Sequence, residues 1–362
     1  MEIAPEVFVS PYLLAAIGLA LGLISGFVGV GGGYMLTPTL IVLGFPANVA
    51  VGTGIALIAG NSLIAMLRHR QMGHVDLKMG LIMMTGTIMG TEVGVRILDA
   101  LKEFGQETLD VVVLGVMLVV LAGIGAFMYR ELQHSRRQLR EMTPEERAEC
   151  EDVQSSGICG FFQGIYLPPV IRFTKSKITI SGWVVMLVGF CAGVISGFMG
   201  VGGGFVRAPA LIYIIGQPSV MAVGTDLLGI VFSGSFGCLR HAMLGNVNLA
   251  VALVMLLGTS VGTQIGSLGT LYLKGLAVRY VLGYSVLTAL VGPSLKMVYF
   301  LTGRQHIWLN QTSVALTVLQ IFVPVTIIVA FLVYAARYHR GKRVPPWAEY
   351  LMISREKLCA TK

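Results

Sequence analysis

Two glycine-rich segments with the sequence GVGGG, at residues 29–33 and 200–204, are the part of the chain best suited to bind a ligand. Glycine permits positive φ and lets the backbone approach a ligand closely. A short apolar run follows each segment, and a helix starting there would present unpaired N–H groups and partial positive charge, which predicts a small-anion site. The residues predicted to line this site are Gly29, Gly31, Gly32, Gly33 and Tyr34 in the first segment, and Gly200, Gly202, Gly203, Gly204 and Phe205 in the second.

Three uncharged polar residues are candidates for the same site. Thr53 and Thr225 each end an AVGT motif. A threonine hydroxyl in a helix can bind an oxyanion, or it can bond back to its own helix. Asn61, whose counterpart in the second copy is Ser233, could face the same cavity.

Arg207 and Asp226 are charged residues within apolar runs, where a charge is costly and a functional role is the default expectation. Their counterparts in the first copy are Leu36 and Gly54, so the two charges break the symmetry of the repeat. Arg207 can offer an oxyanion a planar fork of donors. An ion pair between Arg207 and Asp226 is an equally favoured alternative, and Asp226 could instead carry a coupling proton.

Other charges near the apolar runs favour structural roles. Glu92 and Arg96 are four residues apart, which predicts a local ion pair on one helix face. Two Arg-His pairs fall near the ends of apolar runs and are predicted to mark the membrane interface, with the histidines as weaker candidates for a pH-sensitive gate. These pairs are Arg68–His69 and Arg240–His241.

Enzyme motifs are missing from the sequence. There is no GxSxG, no HExxH and no Walker A motif, and no strand precedes the glycine segments as a dinucleotide-binding fingerprint requires. The five cysteines show no CxxC spacing. We therefore expect no enzyme activity, no metal and no cofactor.

The composition is typical of a membrane protein. Of the 362 residues, 55% are hydrophobic and only 12% are charged, whereas soluble domains carry about 25% charged residues. The mean hydropathy is +0.79. The net charge of +8 does not indicate a nucleic-acid partner, because the basic residues flank apolar runs. The composition predicts an all-α, polytopic membrane protein.

An internal repeat divides the chain into two halves. GLISGFVGVGGG at 22–33 matches GVISGFMGVGGG at 193–204, and the match continues through AVGT at 50–53 and 222–225. It extends over about seventy-five residues in each half. A single glycine run would be explained by close helix packing alone. Its duplication at matching positions favours a binding site.

Apolar runs long enough to cross a bilayer predict the membrane-spanning helices. Each half opens differently, with a run of apolar residues (12–28 and 183–199), the glycine segment and a short run (34–44 and 205–216), which predicts a broken helix hairpin. The predicted spans are 47–67, 77–98 and 109–129 in the first half, and 219–239, 247–268, 278–300 and an extra C-terminal 312–336 in the second.

These runs predict four regions and an orientation. Residues 1–129 form the first transmembrane repeat, 130–181 a linker, 182–336 the second repeat with its extra helix, and 337–362 a basic tail. Positive charges mark the cytoplasmic side, so the linker and tail are predicted to be cytoplasmic and the N-terminus outside. If each opening hairpin returns to its own side, the two repeats have inverted topology, as in many secondary transporters.

The repeated motifs resemble those of the sulfite exporter TauE/SafE family, also called the toluene sulfonate uptake permease family. The resemblance rests on GFVGVGGGYMLTPTL (26–40), GFMGVGGGFVRAPAL (197–211), the two AVGT motifs and the RH…GNV run (240–247). It covers nearly the whole chain except the linker and tail. It implies a prokaryotic inner-membrane carrier for small anions, often sulfur oxyanions or organosulfonates. The chain departs from the family in its long linker, its extra C-terminal helix and the Thr-Gly pair at 53–54.

The sequence therefore predicts a secondary transporter of a small sulfur-containing anion, working by alternating access, with a proton or sodium as a possible coupling ion. Two alternatives remain open. One is an anion channel with the same pore. The other is a non-transporting membrane scaffold or sensor that acts through the 130–181 linker.

Overall fold

A computed structural model describes residues 10–141, 167–340, 342–345 and 351–352. Within these residues, nine helical spans are long and apolar enough to cross a membrane, and one of them, Gly275–Leu301, is made of two consecutive helices. The prediction of an all-α polytopic membrane protein is confirmed. Much of the predicted linker (142–166), the first nine residues and most of the predicted tail lie outside the described residues.

The first half contains five helices. Gly29, with a φ of 74°, ends the first of them, and its N–H donates to the carbonyl of Ser25. The helices are α1 (Pro11–Val28), α2 (Gly33–Val42), α3 (Ala47–Gln71), α4 (Leu77–Leu101, followed by a 3-10 turn at Lys102–Phe104) and α5 (Gln106–Glu141).

The second half repeats this order after a two-stranded antiparallel hairpin and adds one helix. The strands are β1 (Val170–Phe173) and β2 (Ile178–Ser181). The helices are α6 (Gly182–Met199), α7 (Gly204–Pro209, continued by a π-helical turn over Ala210–Ile215), α8 (Ser219–Met243), α9 (Leu249–Gly269), α10 (Gly275–Thr288), α11 (Val291–Leu301) and α12 (Ile307–His339).

Two segments differ from the sequence prediction. The span predicted as one helix over 278–300 is divided into α10 and α11. Pro293 causes this division, because proline cannot donate to the carbonyl four residues earlier. The N–H of Gly292 instead donates to Gln320 Oε1 (3.1 Å). Helix α5 also continues without interruption past the predicted start of the linker at residue 130, to Glu141.

Glycines spaced four residues apart let helices from different halves pack backbone against backbone. Helix α1 packs against α9, and α4 packs against α6. A Cβ atom added at Gly22 would lie 2.3 Å from the carbonyl oxygen of Thr259, and one added at Gly193 would lie 2.3 Å from that of Thr87. Small residues at this spacing permit close helix approach in membranes. The glycines are Gly18, Gly22 and Gly26 on α1; Gly258, Gly262 and Gly266 on α9; Gly86, Gly90 and Gly94 on α4; and Gly189, Gly193 and Gly197 on α6.

The same contacts give the direction of each helix. Gly18 meets Met255 and Gly26 meets Thr263, so α1 and α9 run in the same direction. Gly86 meets Met186. Gly94 meets Val194, which lies further along α6 just as Gly94 lies further along α4, so these two helices also run in the same direction.

Helices α3 and α8 cross in opposite directions at the centre of the molecule. Ile55 of α3 meets Gly237 of α8, whereas Ala59 further along α3 meets Gly234 earlier in α8. The start of α9 lies against the start of α3, and the start of α4 lies against the start of α8. Helices α1, α3 and α9 therefore run one way, and their counterparts α6, α8 and α4 run the other way.

Candidate functional site

The two glycine segments meet at the centre of the molecule. A Cβ atom added at Gly33 would lie 2.4 Å from the carbonyl oxygen of Val201, and one added at Gly204 would lie 2.7 Å from that of Val30. Ile58 contacts both segments, at Gly31 and Gly202. Since Ile58 lies near the middle of α3, the helix breaks lie near half the depth of the long helices.

Positive φ angles explain why these segments are glycine. The φ values are 74°, 74° and 73° at Gly29, Gly31 and Gly32, and 69°, 72° and 71° at Gly200, Gly202 and Gly203. Other residues lose roughly 1–2 kcal/mol each in this left-handed region. The turns bring α2 and α7 back from the centre, and their first N–H groups have no carbonyl one turn earlier to bind.

The glycines also provide close packing, which is the alternative role predicted for a lone glycine run. A Cβ atom at Gly29 would lie 2.1 Å from Val223 Cγ1, and one at Gly200 would lie 2.4 Å from the carbonyl oxygen of Val51. Packing and turn formation thus coincide at the same residues.

The aromatic residues that start the half-helices lie close together. The ring centroids of Tyr34 and Phe205 are 6.4 Å apart, and both residues are buried. The Tyr34 hydroxyl donates to Ser285 Oγ (2.6 Å) on α10. This bond ties the first half-helix to the fourth spanning segment of the other half.

Arg207 and Asp226 form an ion pair beside the second break. Arg207 Nε donates to Asp226 Oδ1 (2.7 Å), and Arg207 Nη2 donates to the carbonyl of Gly202 (2.9 Å). Both side chains are fully buried. In the described part of the chain, Arg207 Nη1 and Asp226 Oδ2 have no hydrogen-bond partner, so the pair retains one free donor and one free acceptor.

Two serine hydroxyls beside the breaks were not singled out from the sequence. Ser62 Oγ lies 3.3 Å from the position that a Cβ would take at Gly31, and Ser196 Cβ lies 3.3 Å from the corresponding position at Gly203. Both hydroxyls are buried and have no partner among the described residues. The repeated ISGF motif that contains Ser196 was the available signal.

Asn61 connects three helices instead of leaving its amide free. Its Nδ2 donates to Ser25 Oγ (2.8 Å) on α1, and its Oδ1 accepts from the hydroxyl of Thr263 on α9. The Thr263 hydroxyl also lies 3.2 Å from the carbonyl of Gly22. Ser233, the counterpart of Asn61 in the second half, contacts a carbonyl of its own helix.

The two AVGT threonines have a role that neither sequence alternative included. Thr53 Oγ1 accepts the N–H of Asn248 (2.9 Å), and Thr225 Oγ1 accepts the N–H of Asp76 (3.1 Å). Each hydroxyl therefore binds the residue that caps a helix in the other half. The interaction depends on a contact between segments far apart in sequence, which the motif alone does not reveal.

The β-hairpin of the predicted linker also forms a hydrogen bond with Asp76. Ser176, in the hairpin turn, donates to Asp76 Oδ2 (2.7 Å). Gln217 Nε2 donates to both Ser176 Oγ (2.9 Å) and Thr225 Oγ1 (3.0 Å). The buried Phe173 belongs to a hydrophobic cluster that includes residues of the second repeat. This part of the predicted linker is thus packed against the second repeat.

Replacing Asp76 with alanine should destabilise the protein by about 2 kcal/mol. The Asp76 side chain caps α4 by accepting from the N–H of Met79. Loss of such a cap costs about 1 kcal/mol. The variant also loses the bond from Ser176, which should add about 1 kcal/mol more. Thermal unfolding in detergent measures the change, and an unfolding temperature equal to that of the unmodified protein would show that neither contact stabilises it.

The histidines of the two Arg-His pairs lie inside the protein. His69 and His241 are fully buried. Their Nε2 atoms lie 3.2 Å and 3.0 Å from the carbonyl oxygens of Gly26 and Gly197, at the ends of α1 and α6. These carbonyls lie near the helix ends, where partners within the helix are missing, and a histidine can satisfy them.

The predicted Glu92–Arg96 ion pair is confirmed, with an Nε–Oε1 distance of 2.8 Å. Arg240 also binds Glu92, at 2.7 Å and 3.1 Å, so it links α8 to α4 as well as lying near a helix end. Both sides of this contact are partly exposed. Its contribution to stability is therefore expected to be small.

No group of three or more metal-ligating side chains occurs within the described ranges. The features that remain for ligand binding are two helix starts, one free guanidinium nitrogen and two free hydroxyls, all buried and set where broken helices meet. Donors of this kind suit an anion. Helices crossing the membrane around such a centre are the architecture of a membrane transporter.

Comparison with known proteins identifies the family. The sequence profile of the sulfite exporter TauE/SafE family matches residues 14–293, and a second match covers 185–354. The chain belongs to this family of membrane transporters.

Similar proteins are named as probable membrane transporters. The chain is 27% identical over 255 residues to the probable membrane transporter protein YjnA of Bacillus subtilis, covering 69% of this chain and 86% of the relative. It is 24% identical over 263 residues to the probable membrane transporter protein YunE of the same organism, covering 70% and 86%. A probable membrane transporter protein of Xylella fastidiosa is 27% identical over 257 residues, covering 70% and 80%. No solved structure matches the chain.

Proposed function

We propose that the protein is a secondary transporter that moves a small sulfur oxyanion or organosulfonate across the cytoplasmic membrane by alternating access. The observation that carries this proposal is the meeting of two broken helices, one from each half, near the middle of the spanning helices. Broken helices at this depth are the usual position of a substrate site in transporters built from repeats. The family name supports a sulfur-containing anion.

The proposed site holds the anion between the two half-helix starts. Helix α2 has ten residues, and the helix that starts at Gly204 continues through its π-helical turn to Ile215. Both starts place partial positive charge near the breaks. Arg207 adds a full charge with Nη1 available, and the hydroxyls of Ser62 and Ser196 add uncharged donors.

In alternating access, one repeat moves against the other so that the site opens first to one side of the membrane and then to the other. The opposite directions of the counterpart helices support an inverted repeat, in which the N-terminus lies outside and the linker and tail lie in the cytoplasm. Contacts between loops agree with this arrangement. The linker hairpin contacts the α3–α4 loop, and the N–H of Lys274, after α9, donates to Leu351 of the tail (2.8 Å). On the opposite side, Arg304 lies 3.7 Å from Asp110.

Binding of candidate anions to the purified protein in detergent tests this proposal. We expect sulfite, sulfate, thiosulfate, taurine or sulfoacetate to raise the unfolding temperature, and Arg207→Ala to reduce that rise. Arg96→Ala is the matched control, because it removes an arginine whose side chain is 74% exposed and pairs with Glu92.

The possible outcomes test the substrate class and the role of Arg207 separately. An anion-dependent shift that is reduced in Arg207→Ala and retained in Arg96→Ala supports the site. A shift that is equal in all three proteins keeps the substrate class but removes Arg207 from the site. If none of the five anions shifts the wild-type protein, the proposed substrate class is wrong, and a channel or scaffold becomes the function to test.

A further inference from the structure

We propose that Asp226 takes up one proton each time Arg207 binds the substrate anion, so that anion and proton cross the membrane together. This inference rests on the proposed function and adds the coupling ion and the residue that carries it. The proton comes from the solution on the side where the anion enters. It binds Asp226 Oδ2 and is released with the anion on the other side.

Arg207 has one nitrogen available to bind an anion, and Asp226 has one oxygen available to bind a proton. Arg207 uses Nε for Asp226 Oδ1 and Nη2 for the carbonyl of Gly202, which leaves Nη1 for an anion. Asp226 Oδ2 faces the second break, because a Cβ atom at Gly204 would lie only 2.7 Å from it. The free donor and the free acceptor thus belong to one ion pair beside the break.

Charge balance then requires one added positive charge, which a proton on Asp226 supplies. The empty site contains one positive and one negative side chain, both fully buried, and is neutral. A monovalent anion would leave a net charge of one negative unit in the membrane interior, which is costly. Protonation of Asp226 restores neutrality and releases Arg207 to bind the anion more completely.

Three charged or titratable side chains on helices packed against α8 bind groups other than Asp226. On α4, Glu92 binds Arg240. On α10, Arg279 donates to Ser219 Oγ (2.7 Å), and on α3, His69 contacts the carbonyl of Gly26. The counterparts of the ion pair in the first half are Leu36 and Gly54, so the first break offers no second carboxylate. These observations assign the proton to Asp226.

Proteoliposomes with an enclosed pH-sensitive dye test the coupling. An inward gradient of methanesulfonate, sulfite, thiosulfate or taurine is applied, and uptake of labelled anion and of protons is recorded together. For methanesulfonate, which stays monovalent, we expect lumenal acidification in proportion to anion uptake. We also expect the rate to be insensitive to a membrane potential set by potassium and valinomycin, because one anion and one proton carry no net charge.

Variants locate the proton. In Asp226→Asn, the acidification that accompanies anion addition should fall to the rate of protein-free vesicles. Asp226→Glu should retain proton uptake. Glu92→Gln is the control, since it removes a carboxylate outside the site. Size-exclusion chromatography checks that each variant is folded.

The failures of the two proposals can be distinguished. Anion uptake by the wild-type protein without acidification, or with a rate that follows the membrane potential, overturns the proton inference and leaves the transporter intact. Proton uptake that persists in folded Asp226→Asn shows that another group carries the proton, and this result also overturns the inference. If none of the four anions enters, the proposed function fails and the inference fails with it.

Discussion

Replacing Gly22 with valine is expected to prevent stable folding or to lower the unfolding temperature steeply. A Cβ atom at this position would lie 2.3 Å from the carbonyl oxygen and 2.6 Å from the Cα of Thr259. Those atoms are backbone, so the clash can be relieved only by separating α1 from α9. Overpacking usually costs about 1–3 kcal/mol, and separating two helices along their length should exceed that range.

Gly123→Val is the matched control. Nothing lies within 4 Å of a Cβ atom at Gly123, which is exposed on α5. The same change there should leave the unfolding temperature nearly unchanged, because only helix propensity is altered. Fluorescence-detected size exclusion and thermal unfolding in detergent compare the two variants. Equal behaviour would show that the close approach of α1 to α9 does not stabilise the protein.

The corresponding change in the other half should have a similar effect. A Cβ atom at Gly193 would lie 2.3 Å from the carbonyl oxygen of Thr87, the same distance as for Gly22 and Thr259. Because both interfaces join one half to the other, damage to either should loosen the whole assembly.

Removing one member of the Arg207–Asp226 pair should be more damaging than removing both. Arg207→Met leaves an uncompensated carboxylate in the interior, and Asp226→Asn leaves an uncompensated guanidinium. Both groups are fully buried, and breaking such a pair costs about 3–5 kcal/mol. The double variant contains no charge to compensate. Its unfolding temperature should therefore lie above that of each single variant.

A double-mutant cycle in detergent measures this coupling. The four proteins are compared at one pH and salt concentration, and the interaction free energy is the difference between the double change and the sum of the single changes. Arg96→Met, on an exposed arginine, reports the cost of losing a surface charge. Additive losses would mean that the two side chains do not stabilise each other.

Several elements of the fold could be predicted because their causes are local. The apolar runs specify helices that cross the bilayer, since each run is long enough and nearly free of charge. The division of α10 from α11 was missed, although Pro293 in the sequence is its cause. The β-hairpin at 170–181 was missed too, because a pair of four-residue strands has only a weak pattern of its own.

For the candidate site, the sequence located the helix breaks but not the hydrogen bonds around them. The glycine segments were predicted as breaks, and they form breaks that meet. Asn61, Thr53 and Thr225, which were predicted as site candidates, are buried polar residues. Their partners, Ser25 with Thr263, Asn248 and Asp76, lie on segments far away in the chain. A hydroxyl or amide satisfies its hydrogen bonds with whichever group the fold brings near.

The sequence by itself determined that the chain is a repeated helical membrane protein, because hydrophobic length, glycine conformation and duplication are properties of the chain alone. It also determined where the helices break, since GVGGG permits the left-handed turn wherever it occurs. Only the tertiary structure decided that α1 packs on α9 and α4 on α6, because one glycine-lined face can accept any other. The tertiary structure likewise paired Arg207 with Asp226, since the strength of a charge interaction depends on a distance that spacing along the chain does not specify.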